Sequence, residues 1–287
     1  MRTSEYEAAG SGTFSDARHE VRALLEGYGF SGANCAIAYL SFADPESFVG
    51  VYDRDGDLSP LIGFRPIPMN GAVLLESIAT VDENASRLIA NYRKEFPADA
   101  EQLVTFDADI SIKESAALAW LFAVCGLALG LSDGDIHRAQ EPSIEAVTLD
   151  VKVHRVSESY ELDSRYLLRS LMSYRIGGVP THVLARSIVS SLGSFVADSI
   201  TAILRDWRAT VIVCAGDLFA GNDVLCERAG EPLKHFGIPI LFPYNALIPA
   251  DASVDYGVTT STQFLGHQPV AVRINPTRGA QPNQMNV

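Results

Sequence analysis

The stretch from Pro180 to Pro243 narrows the fold more than any other part of the chain. In "PTHVLARSIVSSLGSFVADSITAILRDW", Val183, Leu184, Ile188, Leu192, Phe195, Val196 and Ile200 recur every three or four residues, which predicts one amphipathic helix of about 25 residues. "ATVIVCAG" follows as a short β-branched run suited to a central strand. "DVLCERAGEPLKHFG" then reads as a helix leading into the strand "IPILFP". Just upstream, "DSRYLLRSLMSYRIGGVP" offers Asp163 or Ser164 as a helix start and Leu167, Leu168 and Leu171 as one face. Gly177, Gly178 and Pro180 form its stop. The order α-α-β-α-β requires a sheet with helices on its faces, so the chain is expected to be α/β.

The first half carries the complementary pattern. "EVRALLEGYGF" spaces Val21, Leu24 and Leu25 for a helix that Gly27 and Gly29 stop. "NCAIAYLSF", "SFVGVYDRDGDL" and "SPLIGF" are apolar runs parted by "ADPE" and by an Asp-Gly step, which predicts a three-stranded meander. "GAVLLESIATVDENASRLIANYRKEF" reads as one long amphipathic helix ended by Pro97, and "QLVTFDADI" as a short strand. In "SIKESAALAWLFAVCGLALGL", Ser111 and Glu114 can close a capping box ahead of an apolar helix. "EAVTLDVKVHRV" supplies a further strand near the middle. The expected organisation is a flexible tail over 1–16, an N-terminal subdomain over 17–150, a C-terminal subdomain over 151–275 and a second tail over 276–287.

Charge and composition exclude some roles. Lys and Arg number 22 against 35 Asp and Glu, a formal net charge of −13, which repels nucleic acid. The apolar segment from Ala116 to Leu131 is shorter than the roughly 20 residues needed to span a bilayer. It is expected to be a buried helix, and the N-terminal residues lack the apolar run of a signal peptide. Cys35, Cys125, Cys214 and Cys226 form no CxxC pair and lie in or beside apolar runs, as reduced core thiols in a cytoplasm do. The expectation is a cytoplasmic protein with neither a nucleic-acid nor a membrane partner.

The turn "AGDLFAGN" lies where α/β proteins place ligands, between a central strand and a helix. It is neither GxGxxG nor GxxxxGK[ST], and Asp217 brings a carboxylate to the place a phosphate would need. Spacing alone therefore argues against a phosphate grip here.

From Asp163 to Gly257 the sequence resembles the C-terminal part of the HypF-type NiFe-hydrogenase maturation carbamoyltransferases. Those enzymes share their ATP-binding fold with the enzymes that make threonylcarbamoyl-adenosine in tRNA. The resemblance runs through the paired helices with a Gly-Val-Pro joint, the strand into "AGD", Phe219 and Asn222, the "LCERAG" helix and "PADAS" ahead of Gly257. It implies an actin-like ATPase (ASKHA) fold of two packed subdomains, with mixed sheets and helices on their faces. Ala215, Gly216 and Asp217 stand where the family has its phosphate-contacting Ser-Gly-Gly, and Phe219 and Asn222 where it has Phe and Asn with one residue fewer between them. Asp251 stands at the family's metal-binding aspartate, but its Gly-Gly is replaced by Ala252 and Ser253. Ser41, Asp44 and Ser47 are the nearest equivalents of the phosphate-loop residues in the first turn, where Asp and Ser are also ordinary turn formers. The family's close histidine pair has no counterpart among His19, His137, His154, His182, His235 and His267.

These departures put side chains where backbone must approach a nucleotide and add negative charge beside phosphates. The expectation is a degenerate carbamoyltransferase-like accessory protein that binds a hydrogenase subunit or maturation factor. No cofactor is expected, with ATP and a divalent metal as the weaker candidates. An active carbamoyl or phosphoryl transferase using Asp251 and the Gly216 turn is the alternative, and a homodimeric scaffold built on the "VLARSIVSSLGSFV" face is the third.

Overall fold

The computed structural model describes residues 15–43, 46–106, 117–131, 136, 146–157, 159–243 and 270–272. The chain opens with helix α1 (Ser15–Gly27), so Ser15 and Asp16, expected in the tail, are already helical. Strands β1 (Cys35–Tyr39), β2 (Phe48–Tyr52) and β3 (Leu58–Phe64) form the antiparallel meander read from the sequence. In its second turn Asp53 Oδ1 accepts the amides of Asp55 and Asp57, and Gly56 takes φ +89°.

The region 71–105 departs from the expectation. The single long helix is three: α2 (Gly71–Ala79), α3 (Ala85–Glu95) and α4 (Pro97–Thr105). Polar side chains in "TVDEN" divert the backbone. Thr80 Oγ1 donates to Ser77 O, and Asp82 Oδ1 accepts the Asn84 amide, so the helix ladder is interrupted. Pro97, read as a stop, is the first residue of the next helix, where its missing N–H costs nothing. Gln102 to Thr105, read as the start of a strand, therefore lies in α4; 107–110 fall outside the described residues. The apolar helix α5 (Ala117–Ala128) is buried as expected, through Leu118, Trp120, Leu121 and Val124, while its proposed capping box falls outside the described residues.

Of the "EAVTLDVKVHRV" segment only β4 (Lys152–Val156) is a strand. Ahead of it the backbone is held by helix hydroxyls: Ser187 Oγ accepts from Val147 N, Ser191 Oγ from Leu149 N and Ser170 Oγ from Asp150 N. Ser157, at φ +56°, follows β4, and β5 (Ser159–Asp163) is a strand that the sequence reading missed. Helices α6 (Ser164–Ile176) and α7 (Thr181–Asp206) follow, with Asp163 capping α6 by accepting the Arg165 amide. Then come β6 (Val211–Ala215), the short helix α8 (Asp217–Ala220), α9 (Asp223–Gly230), a 3-10 segment (Glu231–Phe236), β7 (Ile240–Phe242) and β8 (Val270–Val272).

The described strands build one mixed sheet of order β4-β5-β3-β2-β1-β6-β7-β8, not a separate sheet in each half of the chain. β1 lies parallel to β6, and β6 parallel to β7, so strands from both halves meet at its centre. Side chains of these central strands alternate between two cores. Ala36, Ala38, Leu40, Ile212 and Cys214 face the larger one, filled by α2 to α7 and α9. Cys35, Ile37, Tyr39, Val211, Val213 and Ala215 face the smaller one, closed by Ala17, Val21, Leu24 and Leu25 of α1. Burial on both faces explains why these strands read as continuous apolar runs. Helix α7 has the length and apolarity to cross a membrane, and 72% of its apolar window is buried inside the fold. Gly193 lets α9 come close to it, since a Cβ there would lie 2.6 Å from Arg228 Cβ and 3.1 Å from Leu225 O.

Candidate functional site

The turn after β6 sits at the carboxyl edge of the parallel strands β1 and β6, beside the loop that leaves β1. Gly216 has φ +97° and ψ 156°, a conformation open in practice only to glycine. A Cβ on it would lie 2.1 Å from the Leu40 carbonyl oxygen. The two loops are stitched together here. Leu40 N donates to Ala215 O at 3.0 Å and Leu218 N to Leu40 O at 3.2 Å. Asp217 Oδ1 accepts the Phe42 amide at 2.8 Å. From α1, Glu20 Oε1 accepts the Gly216 amide at 2.8 Å. Phe219 N and Ala220 N turn inward to Gly216 O.

The amides of Gly216, Leu218, Phe219 and Ala220 are therefore hydrogen-bonded within the chain, two carboxylates stand at the turn, and α8 has only four residues to supply a dipole. Asn222 is buried beyond the turn and its Oδ1 accepts the Leu225 amide at 3.1 Å, which makes it the N-cap of α9. Phe219 is fully buried. Cys226 donates its thiol to Phe219 O. Across the turn, Ser47 Oγ accepts the Ser41 amide and donates to Ser41 O, and Ser41 Oγ accepts the Ala43 amide. Ala215, Gly216 and Asp217 thus lie with Ser41 and Ser47 at the edge of the sheet where β1 and β6 end, and Asn222 lies just beyond the turn, while Asp44 and Asp251 fall outside the described residues. Among the described residues no three His, Cys, Asp or Glu side chains converge as a metal site would require. Glu20 and Phe42 were missed because their partners lie 196 and 175 residues away and no spacing rule links them.

A second polar cluster escaped the sequence reading. Asp163 is wholly buried at the end of β5, and its carboxylate accepts from Arg165 Nε at 2.8 Å, Arg165 Nη2 at 2.5 Å and Arg65 Nη1 at 3.3 Å. His154 Nε2 of β4 is 3.7 Å away. Burial alone would raise the Asp163 carboxyl, but the hydrogen bonds and charge of Arg165, joined by Arg65, outweigh it and hold the group below its usual range. The same carboxylate raises the Arg165 guanidinium. A third ion pair, Arg175 to Asp99 at 2.5 Å, sits under the Phe96 ring and ties α6 to α4.

No protein-family model matches the sequence. Protein HydE of Wolinella succinogenes is 26% identical over 180 residues, which are 59% of this chain and 32% of HydE. The crystal structure of full-length HypF in its phosphate- and nucleotide-bound form superposes with a TM-score of 0.57 at 12% identity, over 78% of this chain and 38% of HypF. HypF of T. kodakarensis superposes at 0.49 with 15% identity over 73% and 31%. The chain spans about a third of the length of the curated relative it matches, 32% of it. The resemblance carried by Asp163 to Gly257 is thus met by a fold match to part of full-length HypF: this is a mixed α/β chain with a HypF-like fold.

Proposed function

We propose that the chain is an accessory protein of NiFe-hydrogenase maturation that acts by binding a hydrogenase subunit or maturation factor, with a degenerate carbamoyltransferase-like site. The HypF-like fold and the HydE similarity support the pathway. The observation that carries the accessory role is the Gly216 turn. Where the resemblance calls for a phosphate grip, Glu20 accepts the Gly216 amide and Asp217 is tied to Phe42. The residues present fit a triphosphate poorly, because two carboxylates meet the anion and the amides are engaged elsewhere. No catalytic step through ATP is therefore assigned to these residues. What remains for the chain is a folded surface of strongly acidic balance, suited to a basic patch on its partner.

Two measurements test this reading. Deleting the chain in its host should lower hydrogenase activity and leave the threonylcarbamoyl-adenosine content of tRNA unchanged; the reverse pattern assigns it elsewhere. Titrating the purified protein with ATP and with carbamoyl phosphate should produce no thermal shift at micromolar ligand, whereas a ligand at 100 times its dissociation constant adds about 2.7 kcal/mol. A low-micromolar dissociation constant would return the active-transferase reading.

A further inference from the structure

We propose that Asn70 is a deamidation site, which the cap of α2 holds unreactive in the fold and which reacts when that helix opens. Asn70-Gly71 is the one Asn-Gly step in the chain; every other asparagine is followed by a residue with a side chain. Such a step is chemically weak, because nothing on the glycine hinders its own amide nitrogen from attacking the asparagine side chain. Packing fixes the glycine. A Cβ on Gly71 would lie 1.7 Å from Leu103 O and 2.8 Å from Leu103 C of α4, and both are backbone atoms. Capping fixes the asparagine: its Oδ1 accepts the amides of Ala72 at 3.0 Å and Val73 at 3.1 Å. The demands of the fold on both residues thus set a reactive pair at a position where Asn70 is exposed.

The reaction needs only water. The Gly71 nitrogen gives up its proton and bonds to Asn70 Cγ, the Cγ–N bond of the side-chain amide breaks, and ammonia leaves with that proton. Water then opens the cyclic imide. Opening at the Cγ carbonyl leaves aspartate, and opening at the main-chain carbonyl leaves isoaspartate, whose backbone runs through the side chain and is longer by a carbon. Ring closure requires Gly71 N to lie beside Cβ, eclipsed about the Cα–C bond. Asn70 has φ −90° and ψ 125°, which turns that nitrogen well away from Cβ. Gly71 is also buried, which keeps water from its N–H. Against this, the two amides on Oδ1 polarise the side-chain carbonyl as an oxyanion hole does. Geometry decides, since a polarised carbonyl gains nothing while the nucleophile cannot reach it. The reactive conformer therefore belongs to opened states of α2. Isoaspartate formed there breaks the register between the cap and the Ala72 and Val73 amides, and so weakens the helix that buries Leu74, Leu75 and Ile78. The inference is independent of the hydrogenase reading and can fail without it.

The test incubates the full chain, and an end-blocked peptide of residues 66–76, at mildly alkaline pH. Position 70 is followed by peptide mass spectrometry, with electron-transfer fragmentation to separate isoaspartate from aspartate. The folded chain is expected to react at least about tenfold more slowly than the peptide. In guanidinium chloride beyond the unfolding midpoint it should match the peptide in the same solution, with isoaspartate among the products. Asn70→Ser keeps a capping oxygen, removes the amide and should abolish the signal in both states. The comparison across denaturant uses the unaltered chain and so stands whatever the variant does. A folded chain that reacts as fast as the peptide overturns the protection. Faster reaction giving aspartate alone overturns it as well, since the capping amides would then be activating the side chain toward water. An unfolded chain that keeps its amide at position 70 shows that no such site exists.

Discussion

Gly216→Ala is the sharpest perturbation of the turn that joins the two halves of the sheet. Two costs add. Holding an alanine near φ +97° and ψ 156° costs on the order of 1–3 kcal/mol. The new Cβ would also lie 2.1 Å from Leu40 O and 2.6 Å from Leu40 C, which are backbone atoms and cannot rotate away. Relieving that contact pulls the end of β1 from β6 and strains Leu40 N to Ala215 O and Leu218 N to Leu40 O, at about 1 kcal/mol each. The sum, roughly 3–5 kcal/mol, is a large part of the 5–15 kcal/mol typical of a folded domain. Gly237→Ala is the matched control. Gly237 also has positive φ, +65°, but nothing lies within 4 Å of its Cβ position, so it should lose only about 1–2 kcal/mol. Urea unfolding followed by circular dichroism, with equal slopes for all three proteins, measures both. If Gly216→Ala costs no more than Gly237→Ala, the contact with Leu40 does not constrain the turn and the stitched-loop account fails.

Other expectations follow from the same geometry. Asp163 is held below its usual range in the fold, so its ion pairs stabilise above about pH 4 and are lost as pH falls further; in Asp163→Asn the decline of melting temperature below pH 4 should be shallower than in the parent, from a lower starting value. Cys35 is pushed up to about 12 by burial, and Cys125, Cys214 and Cys226 are also raised, so Ellman's reagent should label the native protein slowly and all four thiols after unfolding. Ser187→Ala with Ser191→Ala leaves the Val147 and Leu149 amides without their acceptors and should destabilise by about 2–4 kcal/mol in urea titration. Asn222→Ala removes the α9 cap and should cost about 1 kcal/mol, with Asn222→Asp recovering most of it.

The parts of the fold that were legible are those where one chemical pattern had no rival. The α7 face, the β6 run and the meander each repeat at a single period over a length that local polar groups do not interrupt. The misreadings fall where side chains compete with the backbone. "TVDEN" keeps the apolar spacing of one helix across a break made by Thr80 and Asp82, and periodicity cannot see that competition. β5 was hidden for a related reason. Ser159 and Tyr160 are exposed while Leu162 and Asp163 are buried, so the strand lacks both an alternating pattern and a continuous apolar run.

At the turn, composition conveyed the sign of the charge but not its use. Asp217 read only as a group that repels phosphate, which treats the carboxylate as a defect in a binding loop. Its Oδ1 instead accepts the Phe42 amide, and Glu20 does the same for Gly216, so both carboxylates satisfy backbone donors at the junction of β1, β6 and α1. With its donors met by acceptors from the protein itself, the turn is a structural joint. Asp217→Gly separates the two descriptions. If the aspartate only blocks an otherwise intact grip, the substitution should raise ATP affinity at little cost in stability. If it is part of the joint, stability should fall by about 1–3 kcal/mol, the range for an amide left without its acceptor, and ATP affinity should not rise, because Glu20 still engages the Gly216 amide. Urea unfolding and ATP titration on the same preparation decide between them, and a gain in affinity with unchanged stability would refute the joint.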